Sequence, residues 1–306
     1  MADKKKNPVT EGKKSFNWPD KIFGAAVLIL SILVFLIIAY PLWFIIIASI
    51  SNSNMVNLGK VTFLPKDIRF YGYQQIMDDA RIWMGYANTI LYVVAGTILN
   101  MAVTMPAAYA LSRRNFKARN KVMFYFVFTM FFSGGMIPTY MLIRSLHMLD
   151  SIWSMVIPGA VGVYNLIIAR TFIKNSIPGE LLDAAKIDGC SDIKYFTMIV
   201  LPLSKAIIAV LVLFYGVGHW NSYFNPMLYL NSRELFSLPI FLKEILIANQ
   251  IDPSTVTDPE LQMQIAQIAD VIKYALIVVS TIPVLVIYPF IQKYFVKGVM
   301  IGSVKG

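Results

Sequence analysis

Charge is scarce in this sequence. Asp, Glu, Lys and Arg make up 14% of the 306 residues and hydrophobic residues 57%, whereas a soluble globular domain carries about 25% charged residues. One aqueous core cannot hide that much apolar surface, so a bilayer is the expected solvent. Cysteine occurs once, at Cys190, which excludes an internal disulfide and leaves no cysteine cluster for zinc or haem. The two histidines, His147 and His219, lack a partner at helical spacing, so no metal site is expected. Acidic residues number 17 against 27 basic ones, a formal net charge of +10. The basic residues fall in short clusters between apolar runs rather than along a continuous face, which argues against a nucleic-acid partner.

Long uncharged stretches are what the sequence has in abundance. Six occur: Ile22–Ile50, Ile82–Ser112, Val122–Ile143, Ser151–Ala169, Ala206–Ser232 and Tyr274–Gln292. Each reaches the length of about 20 apolar residues that a helix needs to cross the hydrocarbon. Runs this continuous are helical, because only helices and closed barrels satisfy the backbone in lipid and the alternation of a barrel strand is missing. An N-terminal lysine cluster (Lys4, Lys5, Lys6, Lys13, Lys14) precedes the first stretch and suggests a signal peptide. The stretch is far longer than a signal core of about 7–15 residues, so a retained span is expected.

Basic residues set the orientation. The N-terminal tail, the second and fourth connections and the C-terminus together hold 19 of the 27 lysines and arginines. The positive-inside bias therefore puts both termini in the cytoplasm. The two long external segments are Ser51–Arg81, read as an extended loop with one short helix, and Arg233–Lys273. The latter mixes Leu238, Ile240, Phe241, Ile245 and Leu246 with Lys243 and Glu244, which suits either a helix lying along the outer surface or an ordinary loop. Asp252–Glu260 reads as a mobile loop. Prolines 41, 106, 138, 158, 226, 283 and 289 fall within the uncharged stretches, and neighbouring helices can satisfy the carbonyls they free.

The fourth-to-fifth connection carries the most information. Pro178 pre-sets a first turn, with Glu180 and Asp183 early in that turn, where the helix dipole favours anions. Leu181, Leu182 and Ala185 form an apolar stripe. Gly189 can take positive φ and stop the helix. Ser191 or Asp192 can cap a second one. The product is two short helices with a hinge, in which the small Ala184 and Ala185 leave room for another protein.

Asp183-Ala184-Ala185, then Gly189, Ile199, Leu201 and Pro202, stand at the spacing of a motif found in binding-protein-dependent ABC importer permeases. In that motif the three leading residues are Glu-Ala-Ala, and Asp183 replaces the Glu. The chain resembles that family over about residues 20–306. Trp220-Asn221 and Tyr223–Pro226 resemble its carbohydrate-uptake branch. Gln292–Gly298 and Gly302–Gly306 are similar to the tail of the maltose-type subunit, and Phe132–Tyr140 to the subgroup handling complex oligosaccharides.

The resemblance implies an all-α integral membrane fold of type I ABC importer permeases, with six transmembrane helices and a cytoplasmic coupling loop over 176–202. It implies a cytoplasmic tail at 1–20, a six-span domain at 21–298 and a second cytoplasmic tail at 299–306, in a multi-pass bacterial cytoplasmic-membrane protein. The docking residues are expected to be Glu180, Asp183, Ala184, Ala185, Asp188, Gly189, Ile199, Leu201 and Pro202. Gly302, Ser303, Val304, Lys305 and Gly306 are expected to reach between two ATP-binding subunits. The other expected partners are a second homologous permease, an extracytoplasmic solute-binding protein and a carbohydrate substrate. No catalytic residue is expected, and no Gly-x-x-x-x-Gly-Lys-Ser/Thr loop occurs, so ATP and Mg belong to the partner subunits and the chain needs no cofactor of its own.

Sugar sites pair aromatic faces with amides and hydroxyls, and polar groups inside spans tend to face a cavity. That selects Tyr164, Asn165, Tyr215, Trp220, Asn221 and Asn225 as pathway candidates, with helix-to-helix hydrogen bonding as the alternative. Asn88 and Asn100 read as packing groups. Two other functions remain open: an ABC permease for a non-sugar solute, against which the C-terminal tail argues, and a stand-alone secondary transporter. The latter calls for inverted repeats and mid-span charges.

Overall fold

The computed structural model describes residues 18–248, 272–287 and 289, and every regular element among them is helical. The N-terminal lysine cluster, Asp252–Glu260, the end of the sixth stretch and the tail residues Gly302–Gly306 lie outside the described residues.

Two helices run uninterrupted. The first, α1 (Trp18–Ser49), is apolar from Lys21 onward, and none of its most apolar stretch is buried. Two short helices follow, α2 (Ser53–Asn57) and α3 (Tyr71–Asp78), where one was expected. The second long helix, α4 (Ala80–Ser112), starts at Asp79, whose carboxylate accepts the Arg81 amide at 2.9 Å. That side chain also pairs with the Arg81 guanidinium, which holds the Asp79 carboxyl below its usual value. At 33 residues, α4 is about 50 Å long. Its buried face reads Ile82, Gly85, Thr89, Tyr92, Gly96, Asn100, Thr104, Ala108 and Leu111, a stripe at three- and four-residue steps. Small and polar residues dominate it, as expected where helices associate without a hydrophobic drive.

The third, fourth and fifth stretches are not straight spans. The third holds α5 (Arg119–Phe131) and α6 (Met136–Ser145), bent by 114° across Phe132–Gly135, with Gly135 at φ 85°. The fourth holds α7 (Ile152–Val156), an unwound turn, and α8 (Val163–Ser176). Helices α9 (Gly179–Ile187) and α10 (Asp192–Leu203) come next. The latter contains a π-helical turn over Phe196–Val200 and bends by 81° into α11 (Lys205–Trp220). The chain continues through α12 (Phe224–Tyr229), α13 (Leu238–Ala248) and α14 (Ile272–Ile287).

The prolines explain part of this. Among the prolines of the uncharged stretches, Pro41, Pro106 and Pro283 sit well inside a described helix. Pro138 and Pro226 occupy the third residue of α6 and α12, where no intrahelical N–H is needed, and Pro158 lies in the unwound turn.

Helix α13 is a helix rather than a loop, and one face of it packs on α4. Leu238 and Phe241 are fully buried, and a Cβ on Gly85 of α4 would meet Phe241 at 2.8 Å and the Leu238 backbone at 3.0 Å. Leu238 also donates its amide to Thr89 Oγ1 at 2.8 Å. Its apolar face is covered by protein, an outcome that amphipathic patterning cannot tell from lipid contact. Ile76, Ile82, Leu238 and Leu276 form one core at the N-terminal end of α4. Ala108, Leu111, Ala169, Ala185 and Tyr195 form another at its C-terminal end. Helices α3 and α13 therefore sit at one end of α4 and the α9–α10 pair at the other.

Candidate functional site

Helices α9 and α10 are built by their termini. Pro178 holds extended backbone (φ −59°, ψ 141°) ahead of Gly179, and Glu180 lies in the first turn. At the other end Gly189 takes φ 71°, its amide donates to Lys186 O at 3.0 Å, and Cys190 donates to Ala185 O at 2.8 Å. This pair of bonds is a Schellman closure, which requires the left-handed residue that glycine supplies. Ser191 then accepts the Lys194 amide at 3.3 Å and starts α10. Asp183 lies in the second turn rather than the first.

The pair is seated on the bundle by one face. Ala185, Tyr195 and Val200 are buried against Ala108 and Leu111 of α4 and Ala169 and Ile173 of α8. Tyr109 of α4 packs its ring 6.2 Å from Tyr195 and 5.2 Å from Phe196. Arg113, at the end of α4, reaches Asp192 Oδ1 at 3.2 Å and donates to the Tyr109 hydroxyl. Arg170 of α8 donates to Leu111 O at 3.0 Å and binds the neighbouring helix ends together. Burial pushes the Tyr195 hydroxyl above its usual value.

The opposite face is open. Glu180, Asp183, Ala184, Asp188 and Gly189 are all exposed. So are several large apolar side chains outside the expected stripe, among them Ile187 at 87%, Ile193 at 78% and Met198 at 66%. Of the remaining motif residues, Ile199 and Leu201 are half-buried and Pro202 is exposed. Of the expected stripe Ala185 is buried and Leu182 half-buried, but Leu181 is exposed. The stripe also overlooked Ile187, which stands two positions after the buried Ala185 and so on another face.

The pathway candidates divide. Tyr164, Asn221 and Asn225 are exposed, Asn165 half-buried. The Tyr215 hydroxyl is engaged inside the bundle, with Thr104 Oγ1 at 2.8 Å and the Gly162 amide at 3.1 Å. Trp220 donates to Ser280 O at 3.3 Å and packs 6.1 Å from the Tyr86 ring. Trp220 also lines an open apolar groove of about 570 Å³ between α4, α11 and α14. The packing role of the two asparagines holds: Asn88 donates to Glu234 O and Phe236 O, and Asn100 to Gly159 O and Ala160 O.

No protein-family model matches the chain. The polygalacturonan/rhamnogalacturonan transport system permease protein YtcP of Bacillus subtilis (strain 168) is 41% identical over 271 residues, covering 89% of this chain and 94% of YtcP. The chain belongs to the sugar ABC transporter permeases. Protein LplC of the same organism is 38% identical over 87% of this chain and 89% of its own length. An arabinooligosaccharides permease of Halalkalibacterium halodurans, AraQ, is 26% identical over 280 residues. Among solved structures, a bacterial ABC transporter involved in the import of the acidic polysaccharide alginate contains a chain matched at a TM-score of 0.81 and 32% identity. The match covers 92% of this chain and all of that one. Permease subunits of this family are membrane proteins and not themselves enzymes.

Proposed function

We propose that this ABC permease works in a bacterial cytoplasmic membrane, with both termini inside, and moves an oligosaccharide inward by alternating access. The observation that carries the coupling part is the helix pair α9–α10: fixed to α4 and α8 by one face, it leaves Ile187, Ile193 and Met198 exposed on a connection rich in basic residues. An apolar surface on a positively biased loop is suited to a protein partner rather than to lipid. Glu180, Asp183, Ala184, Ala185, Asp188, Gly189, Ile199, Leu201 and Pro202 belong to this docking element, which spans 176–202 within a six-span domain over 21–298. ATP and Mg are held by two ATP-binding subunits there. The remaining partners are a second permease and an extracytoplasmic binding protein. Tails 1–20 and 299–306 lie in the cytoplasm, with Gly302–Gly306 against the ATP-binding subunits.

YtcP is named for polygalacturonan and rhamnogalacturonan, and the matched structure for the acidic polysaccharide alginate, which supports a uronate-containing oligosaccharide as substrate. Tyr164, Asn165, Asn221 and Asn225 are the pathway contacts, with Tyr215 and Trp220 supporting them from within the bundle. The docking reading is tested by expressing the whole operon and purifying through this chain. An ATPase should co-elute, and Ala184→Trp should separate ATP hydrolysis from uptake. A chain that never retains an ATPase, or an Ala184→Trp complex that transports normally, refutes it. Uptake of radiolabelled trigalacturonate tests the substrate class, and its absence alongside uptake of a neutral oligosaccharide overturns that choice.

A further inference from the structure

The break in the fourth stretch is held from one side by a two-rung set of hydrogen bonds. In the upper rung Asn100, fully buried on α4, donates its amide nitrogen to Gly159 O at 2.6 Å and Ala160 O at 3.0 Å. With that nitrogen engaged, its oxygen faces His219 Nε2 at 2.7 Å, so His219 carries its proton on Nε2 and donates it. In the lower rung the Gly162 amide donates to the Tyr215 hydroxyl at 3.1 Å, and that hydroxyl shares a hydrogen bond with buried Thr104 at 2.8 Å. Asn100 and Thr104 are four residues apart on α4, and Tyr215 and His219 four apart on α11, so each helix contributes one side chain per rung. Gly96, one turn before Asn100, lets the His219 ring lie directly on α4, because a Cβ there would meet the ring at 2.4 Å.

The other side of the turn is open: Ile157 is 44% exposed, and Pro158 and Gly159 are exposed too. Irregular backbone at membrane depth is tolerated where it is buried in protein or lines a watery cavity. Here one side packs on α4 and α11, and the other is exposed on this chain. The turn leads straight into α8, which packs on α4 through Leu166, Ala169 and Ile173 and runs into α9 with only Ile177 and Pro178 between.

We propose that Asn100, Thr104, Tyr215 and His219 are positioning residues that lock the turn 157–162 to α4 and α11. Displacement of the α9–α10 pair then reaches this turn through α8 and changes which side of the membrane it faces. This rests on the docking function of α9–α10 proposed above. Without the rungs the carbonyls of Gly159 and Ala160 would be free to take alternative partners, and movement of α8 would be absorbed at the break.

The test uses the co-purified complex in proteoliposomes, with Cys190→Ser as background. Ile157→Cys and, separately, Ile187→Cys are reacted with a membrane-impermeant maleimide, without nucleotide and after trapping with ATP and vanadate. With intact rungs the Ile157 site should change its labelling rate at least fivefold between the two states. In Asn100→Leu and in Tyr215→Phe, which removes one hydroxyl and keeps the shape, the change should fall below twofold. Thr104→Ser, which keeps its hydroxyl, should switch fully. A fivefold switch retained in Tyr215→Phe and Asn100→Leu, or no switch with the rungs intact, overturns the proposal. The Ile187 site reports on the docking reading separately: it should be shielded whenever the ATPase is bound. Labelling there that ignores the ATPase refutes docking, whatever Ile157 does.

Discussion

Replacing Gly96 by alanine probes the closest approach between α4 and α11. The new methyl would lie 2.4, 2.5 and 2.8 Å from three atoms of the His219 ring, against ordinary contacts of 3.4 Å or more. The ring is rigid, so it must retreat by about 1 Å, which stretches the 2.7 Å bond to Asn100 beyond hydrogen-bonding range. Overpacking costs about 1–3 kcal/mol, and the lost bond adds about 1 kcal/mol. The expected loss of about 2–4 kcal/mol corresponds to a fall of about 4–16 °C in the unfolding midpoint. Thermal unfolding of the detergent-solubilised complex, followed by tryptophan fluorescence, measures it. His219→Ala alone costs about 1–3 kcal/mol by orphaning the Asn100 oxygen. The double variant Gly96→Ala/His219→Ala should be no less stable than His219→Ala, because the methyl enters the space the ring vacates. Additive losses, or a Gly96→Ala protein that melts like the unmodified one, would refute the packing argument.

Three further outcomes follow from the α9–α10 pair and the contact of Asp150 with Ser232. Gly189→Ala meets no neighbouring atom, so its cost is purely the left-handed backbone at φ 71°, about 1–2 kcal/mol; hydrogen exchange over 179–195 should rise, and Gly189→Asn should raise it less. Arg113→Met should loosen α10 and speed tryptic cleavage after Lys194, whereas Asp192→Asn should do so weakly, because the Asp192 side chain is 68% exposed and such pairs contribute little. Asp150 accepts amides from Asn231 and Ser232 at 2.9 and 2.8 Å, and the Ser232 hydroxyl and these amides hold its carboxyl below the ordinary 3.8. Its contribution is therefore complete above that ordinary value and disappears as pH falls through the lowered one. Protection of the Asn231 and Ser232 amides should drop only in strong acid, and Asp150→Asn should abolish that pH step.

The uncharged stretches, the basic bias and the Asp183–Pro202 motif are local features, and the sequence shows all three directly. The Gly189 closure was readable for the same reason, since only glycine takes that backbone angle without strain. The bends were harder. Gly135 and Pro158 mark two of them, yet the same residues also occur in continuous membrane helices, where neighbours satisfy the backbone. Burial of α13 was hidden because an apolar face looks alike whether lipid or protein covers it. The seat of α10 depends on Tyr109 of α4 meeting Tyr195 and Phe196, which are distant in the chain, and no local pattern links them. The rungs at the fourth break were half visible. Gly96, Asn100 and Thr104 recur at four-residue steps on α4, as Tyr215 and His219 do on α11, but nothing in the sequence says that the two series face one turn.

The separation of those two series along the chain has a consequence for biosynthesis. Asn100 enters the membrane 119 residues before His219, its final partner. At about 5–20 residues per second, α4 waits roughly 6–24 s with that amide oxygen unclaimed. Gly159 and Ala160, its other partners, emerge about midway through that interval. Until then the amide must draw on water, lipid headgroups or the insertion machinery. A ribosomal pause between α4 and α11 would lengthen this exposure.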